Sequence, residues 1–164
     1  MKPATTAYTT LASPLGDLLL TGEDGSLSGL YLPPHKGAAE IDVRWRRDDD
    51  RFRDAREQLT AYFAGALHTF NLDLAPRGTP FQLRVWRALA EIPYGTTISY
   101  RQLAERVGNP NASRAVGLAN GRNPISIVVP CHRVIGANGA LVGYGAGVER
   151  KRWLLAMEGA LLAN

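Results

Sequence analysis

The chain has 164 residues, 45% of them hydrophobic, and a formal net charge of +4 at pH 7. This length allows one large domain or two small ones, with enough apolar residues for a buried core. No stretch approaches the roughly 18 consecutive apolar residues of a membrane-spanning helix, and the first residues lack the apolar core of a signal peptide. The single cysteine excludes an internal disulfide and a multi-cysteine zinc site. We therefore expect a cytoplasmic protein without a metal or other cofactor.

The charge is divided unevenly along the chain. Residues 1–78 carry 9 basic and 11 acidic side chains, whereas residues 79–164 carry 10 basic and 4 acidic ones. A basic half is typical of a domain that faces a polyanion, most simply nucleic acid, although an ordinary solvated basic surface fits the count about as well. Because composition also changes in the Pro- and Gly-containing stretch 75–80, we predict two domains, 1–78 and 79–164.

The first half predicts a small α/β scaffold. Its apolar patterns indicate strands at 7–10, 18–21, 27–31 and 69–74 and a helix at about 51–64. Asp-Gly between the second and third of these runs predicts a hairpin turn, and Asp50 is the expected N-cap of the helix. No residue of this half has the pattern of a catalytic group.

The second half predicts a helical domain, with helices at about 80–91, 100–107, 111–120 and 148–162. Ser99 is the expected N-cap of the second helix, and Gly108-Asn109-Pro110 breaks the chain before the third. Two short helices joined by a tight turn are the pattern of a helix-turn-helix motif, although many helical hairpins share it.

The third of these helices consists mostly of small residues and carries one long polar side chain, Arg114. A helix that identifies base edges usually presents several Arg, Asn or Gln side chains. This one instead predicts close backbone approach to DNA, with binding through phosphates and duplex shape and with Arg114 probing the duplex. A surface salt bridge is the alternative role for Arg114.

The stretch 130–134, Pro-Cys-His-Arg-Val, contains the only cysteine. The β-branched run 125–129 predicts a buried strand or extended segment before it, and Pro130 should weaken regular pairing. We therefore expect the Cys131 thiol to be held rigidly and to be accessible from one side. Neighbours in an extended chain point to opposite faces, so His132 would need a turn or a bridging water to reach it. A cysteine that only fills space is the alternative, and composition leaves the two about even.

The last helix should bury one stripe of its surface, with Trp153, Met157 and Leu161 along it. Glu158 lies on or beside this apolar side. A buried carboxylate needs a partner. A structural salt bridge to an arginine and a hydrogen bond to His132 are the two candidates.

Six motifs of the second half occur in a characteristic order: Ile98-Ser99-Tyr100, Ser113-Arg114-Ala115-Val116-Gly117, Arg122-Asn123-Pro124, Pro130-Cys131-His132-Arg133-Val134, Gly143-Tyr144-Gly145 and Arg152-Trp153-Leu154-Leu155. Together they closely resemble the O6-alkylguanine-DNA alkyltransferases (methylated-DNA–protein-cysteine methyltransferases), over about residues 79–160. Residues 1–78 resemble that family only in size and strand-helix layout. The resemblance implies an α+β fold, with an N-terminal ribonuclease-H-like antiparallel sheet and helix and a C-terminal winged helix-turn-helix-type helical domain.

The resemblance implies a role for each residue of the reaction site. Cys131 would be the nucleophile that takes the alkyl group, and His132 would act as base through a water, with Glu158 orienting the imidazole. The His–Glu pair would thus draw off the thiol proton. Asn123 would order the loop of the helix-turn-helix against the active-site segment. Tyr100 would help to rotate the nucleotide out and would donate a proton or hydrogen bond to the guanine ring.

The resemblance also implies the contacts to the partner, double-stranded DNA. The helix-turn-helix would enter the minor groove with little sequence specificity, and Arg114 would take the place of the flipped base. The remaining expected contacts are the DNA-binding residues Tyr100, Asn109, Ala115 and Gly117 and the pocket residues Val134, Tyr144 and Gly145. Several relatives have a hydroxyl residue where Gly145 stands, so tolerance for larger alkyl groups could differ here. The zinc site of some relatives is absent.

The implied function is direct-reversal DNA repair. An alkyl group would pass from O6-alkylguanine, or from O4-alkylthymine as a further candidate, to Cys131 in a single turnover. We expect a monomer, and cooperative binding along DNA is left open. Three rivals remain: a winged helix-turn-helix regulator, a non-repairing lesion binder of the kind that lacks the cysteine, and a cysteine hydrolase.

Overall fold

The computed structural model describes residues 6–23, 25–33, 44–141, 144 and 147–160. The chain divides into two compact units, Met1–Arg77 and Gly78–Asn164. Within the described ranges, every helix is too short or too polar to cross a membrane.

The N-terminal unit consists of strands and one α-helix over its described residues: β1 (Ala7–Leu11), β2 (Leu18–Glu23), β3 (Ser26–Tyr31), β4 (Arg46–Arg47) and α1 (Arg53–Phe63). The strand order is β3-β2-β1-β4. The first three strands are antiparallel, and β4, which the sequence does not predict, joins β1 in parallel. The three longer strands, the hairpin and the helix are confirmed. Gly25 in the hairpin turn has φ +82°, which favours glycine.

Two expectations for this unit are wrong. Asp50 does not cap α1, because it lies inside a 3-10 turn, Asp50–Phe52, that leads into the helix. Residues 69–74 do not form a strand, and only Leu74 pairs, in one parallel bridge to Leu27. The Gln58 side chain of α1 instead donates to the Asn71 carbonyl at 3.0 Å and accepts from the Asn71 N–H at 2.8 Å. A side chain thus satisfies the backbone groups that a neighbouring strand would have bonded.

The helices of the C-terminal unit are α2 (Pro80–Ala90), α3 (Tyr100–Arg106), α4 (Ser113–Gly121) and α5 (Val148–Met157). All four were predicted, and α3, the tight turn and α4 form the expected helix-turn-helix pair. Thr79 and Ser99 cap α2 and α3. Each side chain accepts from a backbone N–H in the first turn, and Gln82 or Gln102 returns the hydrogen bond to the cap residue. The second of these boxes fixes where Tyr100 begins its helix.

The segment before Cys131 is buried as expected but is not a strand. Ile127 has φ +74°, and Val129 N–H donates to the Ile125 carbonyl at 3.0 Å, so the chain folds into a tight turn. Ile125, Ile127 and Val129 are all buried. The β-branched run therefore indicates burial rather than extended conformation. The two-stranded sheet of this unit is formed instead by β5 (Ile98–Ser99) and β6 (Val134–Ile135), which pair in parallel.

Each unit has its own apolar core. In the N-terminal unit the fully buried residues include Leu18, Leu20, Leu30, Leu59 and Tyr62, and in the C-terminal unit they include Val85, Leu89, Leu103, Val116, Leu154 and Leu155. The stripe predicted for the last helix is wrong for Trp153, which is 36% exposed, and Leu161 lies outside the described residues. The buried side of α5 instead carries Lys151, with Glu158 just after the helix, so two charged residues face inward.

Candidate active site

Cys131, His132 and Arg133 form a single 3-10 turn directly after Pro130. The turn replaces the extended chain expected there, so consecutive side chains are not forced to opposite faces. Cys131 is 5% exposed and His132 is fully buried. The thiol is therefore less accessible than the sequence suggests.

Glu158 joins two residues of this turn. His132 Nε2 donates to Glu158 Oε2 at 2.8 Å. Arg133 donates from Nε to Oε1 at 2.8 Å and from Nη2 to Oε2 at 3.0 Å. Both partners considered for Glu158 are thus present together. Because the carboxylate accepts at Nε2, the neutral imidazole carries its proton there and presents Nδ1 as an acceptor.

Burial sets the charge state of the thiol and the imidazole. It raises the pKa of Cys131 above its ordinary value, although the Asn123 side chain and the Lys151 charge oppose the rise. Burial also lowers the pKa of His132, and Glu158 opposes this only in part. At neutral pH the pair is therefore a neutral thiol and a neutral imidazole. The role of His132 as the base that draws off the thiol proton stays a prediction.

Asn123 ties together the loop that leads to the cysteine. Its Nδ2 donates to the Val129 carbonyl at 2.7 Å, and its Oδ1 accepts from the Ile125 N–H at 3.0 Å. The Asn123 side chain also lowers the pKa of the Cys131 thiol, against the effect of burial. One amide therefore orders the folded segment and favours the thiolate.

Lys151 and Asn120 also lie close to the cysteine turn, although neither was predicted from the sequence as a site residue. Lys151 is fully buried, and its Nζ lies 6.0 Å from the centroid of the Tyr100 ring. Burial lowers the pKa of Lys151 to about 8, and the charge of Cys131 opposes the change. Asn120, at 1% exposure, donates from Nδ2 to the Cys131 carbonyl at 3.4 Å. Lys151 stands at helical spacing from Leu155 and Glu158. This spacing is the sequence signal that could have placed the lysine on the buried side of α5.

Buried polar atoms without a hydrogen-bond partner cluster around the cysteine. Within the described ranges they are Asn120 Oδ1, His132 Nδ1 and Tyr144 Oη. Asn120 bonds to the Cys131 carbonyl, and His132 follows Cys131 in the chain. Burial, followed by the charge of Cys131, holds the pKa of Tyr144 well above its ordinary value. Such atoms are rare in folded proteins, and their clustering around one thiol marks a site for a polar ligand.

The residues expected to contact DNA lie on and beside α4. Arg114 and Ala115 are exposed on this helix, and Asn109 is exposed in the turn before it. Gly117 is half-buried, and a Cβ at this position would lie 3.6 Å from Tyr100 Cδ1. Small residues of α4 thus allow the Tyr100 ring to pack against the helix.

Of the expected pocket residues, Val134 and Tyr144 are buried, and Gly145 lies outside the described residues. Within the part of the chain that is described, no three His, Cys, Asp or Glu side chains are grouped so that they could hold a metal ion.

Both units match models of one protein family. Residues 80–160 match the DNA-binding domain of 6-O-methylguanine DNA methyltransferase, and residues 6–76 match its ribonuclease-like domain. A methylated-DNA–protein-cysteine methyltransferase of Methanosarcina acetivorans is 52% identical over 153 residues, which cover 93% of this chain and 98% of the relative. One of Mycolicibacterium paratuberculosis is 54% identical over 157 residues, covering 92% and 91%.

Solved structures agree with these matches. The crystal structure of Mycobacterium tuberculosis O6-methylguanine methyltransferase has a TM-score of 0.87 and 50% identity, covering 95% of this chain and 94% of that one. The M. tuberculosis protein in complex with DNA has a TM-score of 0.86 and 50% identity, covering 94% and 93%. The family and fold class expected from the sequence motifs are confirmed. This chain therefore belongs to the 6-O-methylguanine DNA methyltransferases, which repair DNA by direct transfer of an alkyl group to a cysteine of the protein.

Proposed function

We propose that Cys131 accepts the alkyl group from O6-alkylguanine in duplex DNA, once per protein molecule. The observation that carries this assignment is the cluster of three unpartnered buried polar atoms around the only cysteine of the chain. A flipped base has donors and acceptors on its edge that could satisfy such atoms. The rivals that only bind DNA leave both the thiol and this cluster without a role.

The transfer needs a proton acceptor beside the thiol. The Cys131 proton passes to His132 Nδ1 through a water, the sulfur–carbon bond forms, and the carbon–O6 bond breaks. The electron pair of the broken bond moves onto guanine, and the Tyr100 hydroxyl protonates the ring. Glu158 supports the transfer of the thiol proton to His132, because it accepts from His132 Nε2 at 2.8 Å and so leaves Nδ1 as the acceptor.

The charges formed in this step have partners in the site. The imidazolium is stabilised by Glu158, and the thiolate is stabilised by the Lys151 cation and by the Asn123 amide. Because the resting thiol and imidazole are neutral, the reactive ion pair exists only while the proton is on His132.

We further propose that α4 enters the minor groove, with Arg114 taking the place of the flipped nucleotide. The support is the exposure of Arg114 and Ala115 on a helix of small residues, in a half with 10 basic and 4 acidic side chains. Flipping a base costs a few kcal/mol, which an inserted guanidinium offsets in part. Asn109 and Gly117 would complete the contact. The protein would act as a monomer in the cytoplasm.

The alkyl group would face a pocket formed by Val134, Tyr144 and Gly145. The role of Gly145 rests on the sequence motif alone. A glycine at this position would change the tolerance for alkyl groups larger than methyl, and O4-alkylthymine is a second candidate substrate. The thioether product has no good leaving group, so we expect no second turnover.

The test uses duplex DNA with one O6-methylguanine, incubated with the protein and analysed by peptide mass. A methyl group on the peptide that contains Cys131, and none in Cys131→Ser, is the expected result. Methyl on any other residue would refute the assignment of the nucleophile. Sequence-specific binding without methyl uptake would favour the regulator, and repeated turnover would favour a hydrolase.

A further inference from the structure

Leu118 is the most exposed large apolar side chain among the described residues. It is 66% exposed and lies on α4, the helix that carries Arg114. A singly exposed leucine is ordinary on a protein surface, so its exposure alone assigns it no role. Its position on this helix and the charges around it do.

Leu118 lies in the middle of the exposed face of α4. Because each residue of a helix turns by about 100°, positions 114, 118 and 122 lie side by side, about 6 Å apart along the axis. Val116 and Asn120, on the opposite side, are buried. The other exposed residues of α4 and its C-terminal end are Arg114, Ala115, Gly121 and Arg122. A partner that covers this face therefore meets Leu118 at its centre.

The charges around Leu118 favour DNA as that partner. Arg114 precedes it by four residues and Arg122 follows it by four, so the apolar side chain lies between two cations. No Asp or Glu occurs from residue 106 to residue 148. The stretch that contains α4 therefore has no charge that repels a polyanion. The helix also lies in the unit that matches a DNA-binding domain.

An apolar side chain between two cations fits the minor groove of duplex DNA. Phosphates line the rims of this groove and attract guanidinium groups, whereas the deoxyribose rings of its walls present C–H groups. Proteins that bind the minor groove commonly place leucine or another apolar side chain in it. On α4, the leucine lies where the groove is apolar and the arginines lie where it is charged.

We propose that Leu118 packs against the deoxyribose walls of the minor groove, while Arg122 contacts a phosphate beside it. This inference rests on the proposed function, in which α4 enters that groove, and deepens it by naming the apolar contact. Deoxyribose is the same at every base pair, so the contact adds affinity without sequence specificity. It releases no counterions, so it persists at salt concentrations that weaken the phosphate contacts.

The main experiment measures binding to a duplex that carries O6-methylguanine, at several salt concentrations and in a Cys131→Ser parent that prevents transfer. Leu118→Ala should weaken binding about tenfold, as expected for the loss of a buried leucine contact. The slope of log Kd against log salt should stay at the parent value. Arg122→Ala should instead lower that slope by about 1. Unchanged affinity of Leu118→Ala, or a slope as low as that of Arg122→Ala, overturns the proposal.

Two controls separate this contact from effects on the fold. Leu118 is exposed, and alanine is at least as good a helix former, so Leu118→Ala should keep the parent's thermal midpoint. Val148→Ala shortens the next most exposed large apolar side chain among the described residues, at 39% exposure. This matched variant should bind DNA with the parent's affinity.

Transfer rates with Cys131 present distinguish binding from chemistry. Leu118→Ala should need about tenfold more duplex for half-saturation but should reach the wild-type maximal rate. Its reaction with free O6-benzylguanine should be unchanged, because this substrate has no groove. A slower reaction with the free base overturns the proposal, and so does a dimer of the free protein that Leu118→Ala dissociates. If wild-type protein takes up no alkyl group while Leu118→Ala still weakens DNA binding, the proposed function alone fails.

Discussion

In the N-terminal unit, the buried Thr9 hydroxyl bonds to Asp49 at 2.6 Å and accepts from Arg56 at 3.1 Å, with both charged groups in contact with solvent. In the C-terminal unit, Lys151 and Glu158 are themselves buried. The first unit thus keeps its charges at the surface and bonds buried polar groups to them. The second unit also places a few charged groups, Arg133, Lys151 and Glu158, in its interior.

The same contrast holds for unsatisfied atoms. All three described side-chain atoms that are buried without a partner belong to the C-terminal unit. Each such atom destabilises a fold by about 1–3 kcal/mol. A unit that retains three of them beside one cysteine is organised for chemistry, whereas the first unit is organised as a scaffold.

The largest effect on stability should come from Glu158→Gln. The Arg133 guanidinium, bonded to Glu158 at 2.8 and 3.0 Å, would be left buried without a counter-charge. Loss of one partner of a buried pair destabilises by about 3–5 kcal/mol, measurable by urea unfolding. Asp50→Asn is the control, because its pair with Arg53 is exposed and its loss should leave the midpoint unchanged. Equal small shifts of the unfolding midpoint in both variants would show that the buried pair of the C-terminal unit contributes no more to stability than the exposed pair of the N-terminal unit.

The same variant tests the proton path. Glu158 raises the pKa of His132, so Glu158→Gln should lower it further and move the acid limb of the rate profile to lower pH. An unchanged profile would exclude Glu158 from this path.

Arg114→Ala should separate DNA recognition from the chemistry. We expect a loss on the order of 100-fold in transfer from duplex DNA, the equivalent of a few kcal/mol of flipping, with no change on free O6-benzylguanine. Rates on both substrates measure this directly. Arg53→Ala, an exposed arginine of α1, should change neither rate. Equal losses of Arg114→Ala on the two substrates would reject the flipping role.

Lys151→Met should raise the free energy of unfolding and slow alkyl transfer. The folded pKa of about 8 lies below the ordinary 10.5, so the buried charge destabilises the protein fully below pH 8, and the effect fades as pH rises toward 10.5. The variant should gain on the order of 1–3 kcal/mol at pH 7 and less at pH 10, by urea unfolding. Transfer should slow, because the thiolate loses its cation. Destabilisation of similar size at both pH values would contradict this account of Lys151.

Gln58→Ala should have the smallest effect. It removes two hydrogen bonds to the Asn71 backbone, at 2.8 and 3.0 Å, and should lower the free energy of unfolding by about 1 kcal/mol. Alkyl transfer should be unchanged, since the site lies in the other unit. A matching loss of transfer rate would show that the scaffold unit contributes to the chemistry.

Local signals predicted much of this fold. The helices follow apolar spacing, and Ser99 followed by Gln102 is a capping box that can be identified from the sequence and that fixes the start of α3. The pairing of Glu158 with His132 was among the two alternatives, because a carboxylate beside apolar helix positions needs a partner. These inferences rest on neighbours in sequence or on simple chemistry.

What the sequence could not supply depends on tertiary packing. The β-branched run 125–129 has the composition of a strand, yet Ile127 adopts φ +74° inside a turn. Asn120 and Lys151 have residue types that are mostly exposed, and only the packing around Cys131 buries them. The raised thiol pKa follows from the same burial, so the neutral resting state could not be predicted either.

Single transfer of the alkyl group to Cys131 can be followed by the intact mass of the protein during incubation with excess duplex DNA that carries O6-methylguanine. Every molecule should gain one methyl group and then stop, and Cys131→Ser should stay unmodified under the same conditions. Continued demethylation beyond one equivalent, or methylation of Cys131→Ser, would contradict single transfer to Cys131.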